Sequence, residues 1–143
     1  MSSPATVGVA IMAKAPDAGA VKTRLCPPLS PREAAALARG FLRDRIAQVR
    51  DVTGASPVIA YTPASERDLF ERLAPDFALI TLRRARAANL RTACVSPWFD
   101  VDTPDDLTRL CAALTESPHV APATSRVIPG RAACRLRGET SRP

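Results

Sequence analysis

Val7-Gly8-Val9-Ala10-Ile11-Met12-Ala13, with the text that follows it, decides the fold class of this chain. A short unbroken apolar run of this kind predicts a strand buried on both faces, as in a parallel sheet. A polar loop runs on from Lys14 to Leu29. Ser30-Pro31-Arg32-Glu33 then carries the signature of a helix start. Ser30 fits the N-cap, Pro31 the first helical position, and Glu33 the position that returns a hydrogen bond to the cap backbone. Leu37, Phe41, Leu42, Ile46 and Val49 recur at three- and four-residue spacing and give one apolar face to about residue 51. Strand, loop and helix in this order make half of an α/β unit.

Working outward, Pro57 to Tyr61 reads as a second buried strand, and Thr62-Pro63 opens a second helix with Leu69, Phe70 and Leu73 as its apolar positions. Two successive strand-helix units predict an α/β fold with a mainly parallel sheet and helices on its faces. Phe77 to Leu82 begins as a third strand, yet Thr81 to Leu90 has helical composition and follows without a turn signal. Arg91 to Val95 is a further strand candidate. Trp98-Phe99-Asp100-Val101-Asp102 leads into a third helix, with Thr103 as its cap, Pro104 in its first turn, and Asp105 and Asp106 at the positive end of its dipole. Leu107, Leu110, Cys111 and Leu114 form its apolar stripe. The expected domain is 1–117; periodicity ends at Ser117-Pro118, so 118–143 reads as a largely irregular Pro/Arg-rich tail.

The chain has 143 residues, 46% of them hydrophobic and 24% charged, which suits one globular domain and excludes wholesale disorder. Fourteen Pro against six Gly, with aromatics at 4%, predict many stiff connections around a thin aliphatic core. The net charge of +6 raises the question of a polyanionic partner. The surplus sits in 81–97 and in the tail, and no aromatics stand beside the tail arginines for base stacking, which argues against nucleic acid. Only Lys14 and Lys22 among the twenty basic residues are lysines, so a closely spaced pair near the N-terminus stands out from an arginine-biased composition. Cys26, Cys94, Cys111 and Cys134 lack C-x-x-C spacing and His119 is the sole histidine, a pattern of isolated reduced thiols rather than of a zinc site. No apolar run reaches the roughly 18 residues of a membrane span. Val7 to Ala13 lacks the positive flank of a signal peptide. A cytoplasmic location is expected.

Two constellations carry chemistry. The first is Ala13-Lys14-Ala15-Pro16-Asp17-Ala18-Gly19-Ala20-Val21-Lys22-Thr23-Arg24-Leu25, a loop at the carboxyl end of the first strand, where open α/β sheets bind ligands. Lys14, Lys22 and Arg24 can neutralise a di- or triphosphate, and Gly19 permits positive φ or close backbone approach. A Walker A loop ending at Lys22-Thr23 would need Gly where Pro16 and Val21 stand, so that motif is excluded. The bland alternative is a solvated basic loop. The second is Asp100-Val101-Asp102, whose carboxylates point to one side of an extended segment and favour a bound cation such as magnesium. Its alternative is that Asp102 helps Thr103 to cap the helix while Asp100 is an ordinary surface acid.

Together these stretches resemble a known family. VAIMAKAPDAGAVKTRLCPPLSPREAAALARGFL, from Val9 through Leu42, looks like the opening of the arsenosugar-biosynthesis-type glycosyltransferases, also called radical-SAM/selenodomain-associated transferases. WFDVDTPDDLTRL, from Trp98 to Leu110, resembles that family's C-terminal motif, and Ala121-Pro122-Ala123-Thr124 a stretch beyond it. The N-terminal motif is more distantly similar to the 2-phospholactate guanylyltransferases. The resemblance implies a GT-A, or nucleotide-diphospho-sugar transferase, fold, a Rossmann-like three-layer sandwich. It also implies a nucleotide-phosphate site at Lys14, Gly19, Lys22, Thr23 and Arg24. Lys22 and Arg24 would stabilise the leaving phosphate as the catalytic cations, with Mg2+ or Mn2+ near Asp100 and Asp102.

The resemblance covers both ends of the family domain and skips its middle. Family members carry, between the equivalents of Ile80 and Thr81, a Gly-Ser-Asp-Ser-Pro-type metal segment and an Asp-Gly-Gly-Tyr-type substrate segment; this chain has neither. Two carboxylates would then hold the metal weakly, and positioning of donor against acceptor would be lost. The expected function is that of a glycosyltransferase-like protein impaired by an internal deletion. The alternatives are a guanylyltransferase-like enzyme acting on a phosphorylated acceptor, and a non-catalytic interaction module.

Overall fold

The computed structural model describes residues 7–88 and 100–128. The strand candidate Arg91 to Val95, Trp98, Phe99, Cys94, Cys134 and the end of the tail lie outside the described residues. Three strands, β1 (Val7–Lys14), β2 (Ala55–Thr62) and β3 (Ala78–Thr81), pair in parallel in the order β1-β2-β3. Helices follow as α1 (Pro31–Arg50), α2 (Arg67–Leu73), α3 (Leu82–Ala87), α4 (Pro104–Glu116) and α5 (Pro122–Val127). This is a mixed α/β fold built on a small parallel sheet. Among the described residues no helix is long and apolar enough to cross a membrane.

The chain divides into two compact units. One comprises Met1–Ala15 and Arg45–Cys94, the other Pro16–Asp44 and Val95–Pro143. The first holds the sheet. Ile59, Ala60 and Tyr61 of β2 are all buried, and because successive side chains alternate between faces, both faces of the central strand are covered. Tyr61 meets Phe70 of α2, itself free of solvent, with ring centroids 5.1 Å apart. β1 departs from the expectation of a strand buried on both faces: only Ile11 is buried, while Val7 and Met12 are 62% and 63% exposed. Among the described residues β1 pairs with β2 alone, and an edge strand has neighbours on one side only.

The abrupt passage from strand to helix near residue 81 proves to be a real joint. Thr81 ends β3 in extended conformation and also caps α3, its hydroxyl accepting from the Arg84 amide at 3.4 Å. No turn signal is present because one residue serves both elements. At the end of α1, Arg50 forks onto Asp76 through two hydrogen bonds of 2.7 Å, and its guanidinium lies 5.5 Å from the Phe77 ring centroid. The Arg50 fork holds the Asp76 carboxyl below the usual carboxylate range.

In the second unit both expected helix starts form. Ser30 and Glu33 exchange hydrogen bonds between side chain and backbone at α1, and Thr103 and Asp106 do the same at α4. Leu25, Leu29, Ala34, Leu37, Val101 and Leu107 make one buried cluster, against which Phe41, Leu110 and Cys111 pack. The expectation of an irregular tail fails for its first part. A 3-10 turn spans Pro118–Val120, and α5 follows with Thr124 free of solvent. Asp44 of α1 accounts for this. Its buried carboxylate accepts from the backbone amides of Ala123 and Thr124 at 2.8 Å and from the Thr124 hydroxyl, satisfying donors that α5 cannot satisfy itself.

Gly40, one turn before Asp44, lets α5 approach. A Cβ there would lie 3.0 Å from the Thr124 Cα and 3.4 Å from the Ala123 carbonyl oxygen. Gly40→Ala should gain about 1 kcal/mol of helix propensity. Forcing backbone apart costs about 1–3 kcal/mol, so the clash wins. Urea unfolding should therefore show Gly40→Ala as destabilised, and Asp44→Ala as destabilised by about 3 kcal/mol through its buried, unpaired amides. Because both act through α5, their effects should fall short of additivity in the double variant; a Gly40→Ala protein more stable than the parent would refute this packing.

Candidate functional site

The loop after β1 is organised by local hydrogen bonds. Ala15 donates to the Thr62 carbonyl at 2.9 Å, continuing the strand ladder by one residue. Ala20 then donates to the Asp17 carbonyl, with Gly19 at φ 81° completing the turn. Lys22 adopts a left-handed backbone, φ 49° and ψ 36°, which a residue with a Cβ enters only when its surroundings demand it. Those surroundings are the buried Val21 and Leu25 on either side and the donation from Leu25 to the Lys22 carbonyl at 2.9 Å, which starts a 3-10 turn over Thr23–Leu25.

Held in this way, Lys22 reaches across to the segment before α4. Its ammonium donates to Asp100 Oδ1 and to Asp102 Oδ1, both at 3.0 Å, and lies 5.7 Å from the Phe41 ring centroid. The two carboxylates converge on one ammonium, while Val101 between them is buried in the cluster. Asp100 also accepts from the Val101 amide at 2.7 Å. Hydrogen bonds from Lys22, then from the Val101 backbone, hold the Asp100 carboxyl below the usual range against the opposing effect of partial burial.

The helix-cap alternative for Asp102 is resolved by Asp106. That carboxylate accepts from the Thr103 hydroxyl at 2.7 Å and from the amides of Thr103 and Asp102 at 3.0 and 3.3 Å, and these bonds depress its own pKa. Thr103 caps α4 with Asp106 as its reciprocal partner, while the Asp102 side chain bonds to Lys22. Pattern reading placed Asp106 in the dipole without its second role; an acid three residues after Thr103 was the available signal.

Of the residues assigned from sequence, the structure brings Lys22, Asp100 and Asp102 together in the second unit. Gly19, Thr23 and Arg24 lie on the same loop and are exposed, Arg24 on the 3-10 turn. Lys14 is exposed at the last position of β1 and belongs to the first unit. No group of three or more His, Cys, Asp or Glu able to hold a metal occurs among the described residues. Asp100 and Asp102 do both present an oxygen to one cation-sized point, now taken by an ammonium. A hard divalent ion bound through one or two carboxylates and completed by phosphate and water fits that pair of donors.

Comparison with family models, with curated proteins and with solved structures finds no match to this chain.

Replacing Lys22 by Ala removes the single cation that two acids share. Asp100 should titrate closer to its ordinary value, measurable by carboxyl NMR. The side chain of Asp100 is 74% exposed, so solvent screening holds the stability loss at neutral pH to about 1 kcal/mol. A depressed carboxyl pKa lends stability above its unfolded value, and that stability is lost as pH falls through the folded value. The gap between wild type and Lys22→Ala should therefore close on acidification; a gap independent of pH would contradict the pairing.

Proposed function

We propose that this chain is a GT-A-type, glycosyltransferase-like protein that binds the phosphates of a nucleotide-activated sugar through Lys22 and Arg24, beside a divalent metal at Asp100 and Asp102. One observation carries the reading. Two motif segments, 78 and 80 residues apart in sequence, meet in direct hydrogen bonds at Lys22. The parallel sheet supports it further, because the loop leaves β1 at its carboxyl end, the usual place for ligands in open α/β sheets.

Lys22 would turn its ammonium from the carboxylates to the donor's phosphate, and the exposed Arg24 would add a planar fork suited to phosphate oxygens. Charge developing on the leaving phosphate is what these cations stabilise. Mg2+ or Mn2+, when bound, would neutralise the same charge as a Lewis acid. Asp100 and Asp102 are the residues that would hold it, and Gly19 and Thr23 would give the phosphate backbone access. In this reading a chain without the family's central block loses the positioning of acceptor against donor, so binding should exceed turnover.

Calorimetry with a panel of nucleotide sugars and magnesium or manganese tests this. Binding should weaken about tenfold in Lys22→Ala and in Arg24→Ala, each removing a charge-assisted hydrogen bond. Asp100→Asn with Asp102→Asn should abolish the metal dependence. Undiminished binding in the lysine and arginine variants would sink the phosphate assignment, and robust sugar transfer by the wild type would sink the impaired-enzyme reading.

A further inference from the structure

A cleft of about 530 Å³ opens in the second unit, and none of Lys22, Arg24, Asp100 and Asp102 lines it. Four arginines do: Arg32, Arg39 and Arg43 from α1, and Arg126 from α5. Their spacing of seven and four residues sets the three α1 guanidiniums along one helix face. All four side chains are exposed, and none forms an ion pair among the described residues. Asp17 is the one carboxylate on the lining among those residues. Asp44 does not line the cleft; its oxygens accept from the Ala123 and Thr124 amides and from the Thr124 hydroxyl, so it pairs with none of these arginines.

The floor between the arginines is small. Ala35, Ala36, Gly40 and Ala123 leave room for a ligand to approach the helix backbone. Among the described residues no aromatic stands on the lining for a base to stack on. The volume lies within the range of small-molecule sites, roughly 300–1,000 Å³. Four like charges in one concavity repel one another and focus a positive field, which a compact anion relieves. Planar guanidiniums recognise phosphate through paired hydrogen bonds.

We infer that this α1/α5 cleft is a second anion site, separate from the Lys22 cluster, which takes a small ligand through its di- or triphosphate group. The site depends on tertiary structure. Arg126 joins the α1 arginines only because Gly40 and Asp44 seat α5 against α1, so the docking that buries Thr124 also completes the cleft.

Inorganic tripolyphosphate is the probe, titrated calorimetrically into the full chain and followed by amide NMR shifts. The Arg39→Gln/Arg43→Gln double variant keeps helix-forming side chains while removing both charges, and should weaken binding by at least about tenfold. The same comparison is made in a Lys22→Ala/Arg24→Ala background, which lacks the phosphate cations proposed above and in which binding at this cleft should persist. Shifts should concentrate at Ala36, Gly40 and Ala123. A nucleoside triphosphate that binds no tighter than tripolyphosphate identifies a free phosphate chain as the ligand, and one that binds tenfold tighter identifies a nucleotide. No binding by the wild type, undiminished binding in the double variant, shifts confined to 19–25 and 100–102, or bound RNA that tripolyphosphate cannot displace would each overturn the proposal. The two readings fail separately: undiminished nucleotide-sugar binding in Lys22→Ala/Arg24→Ala removes that site and leaves this cleft, whereas loss of the tripolyphosphate shifts at Ala36, Gly40 and Ala123 removes this cleft and leaves that site.

Discussion

Burial of Leu25, Leu37 and Leu107 in one cluster is the constraint on which the second unit depends. Each leucine, essentially free of solvent, contributes about 2 kcal/mol on transfer from water. The ionic cluster beside it contributes about half as much, because Asp100 faces solvent. Packing therefore sets the geometry and charge follows it. With Leu25 inside, Lys22 turns through a left-handed backbone ahead of it, and with Val101 inside, Asp100 and Asp102 face outward. The meeting of one ammonium with two carboxylates is the outcome of two apolar anchors.

Asp44 adds a different kind of constraint. A carboxylate on a buried helix face is costly unless its oxygens are satisfied, and α5 supplies the donors that satisfy them. The arrangement is mutual, since the first amides of α5 have no partner within their own short helix. Gly40 permits the close approach that makes these hydrogen bonds short. One turn of α1 thus organises the tail end of the described chain and one wall of a basic cleft. The loop after β1 serves both charged features: its first residues line the cleft, and its later ones hold Lys22.

Legibility in the sequence tracks the range of the interaction. Ser30 with Glu33, and Thr103 with its first-turn acids, were readable because a cap is settled within four residues. Val7 to Ala13 was readable as a strand, but its exposure was not, because an apolar run is silent about how many neighbours the strand acquires. The abrupt change near Thr81 was visible as a conflict, and its resolution needed the observation that a strand's last residue also caps a helix. α5 was illegible for a similar reason. Six residues, Pro122 to Val127, carry too little periodicity to announce a helix, and the residue that stabilises them lies 80 positions away.

The sequence by itself determined the alternation of strands and helices, the helix starts, and the residue types able to meet phosphate and metal, because propensity, capping and charge are local properties. It also set two carboxylates two residues apart, with an apolar residue between them. Only the tertiary structure decided that Lys22 bonds to both of those carboxylates and that Arg126 joins Arg32, Arg39 and Arg43 around a cleft. Each depends on which apolar side chains share a core and how closely two backbones approach at a glycine, and neither quantity is written in any window of neighbouring residues.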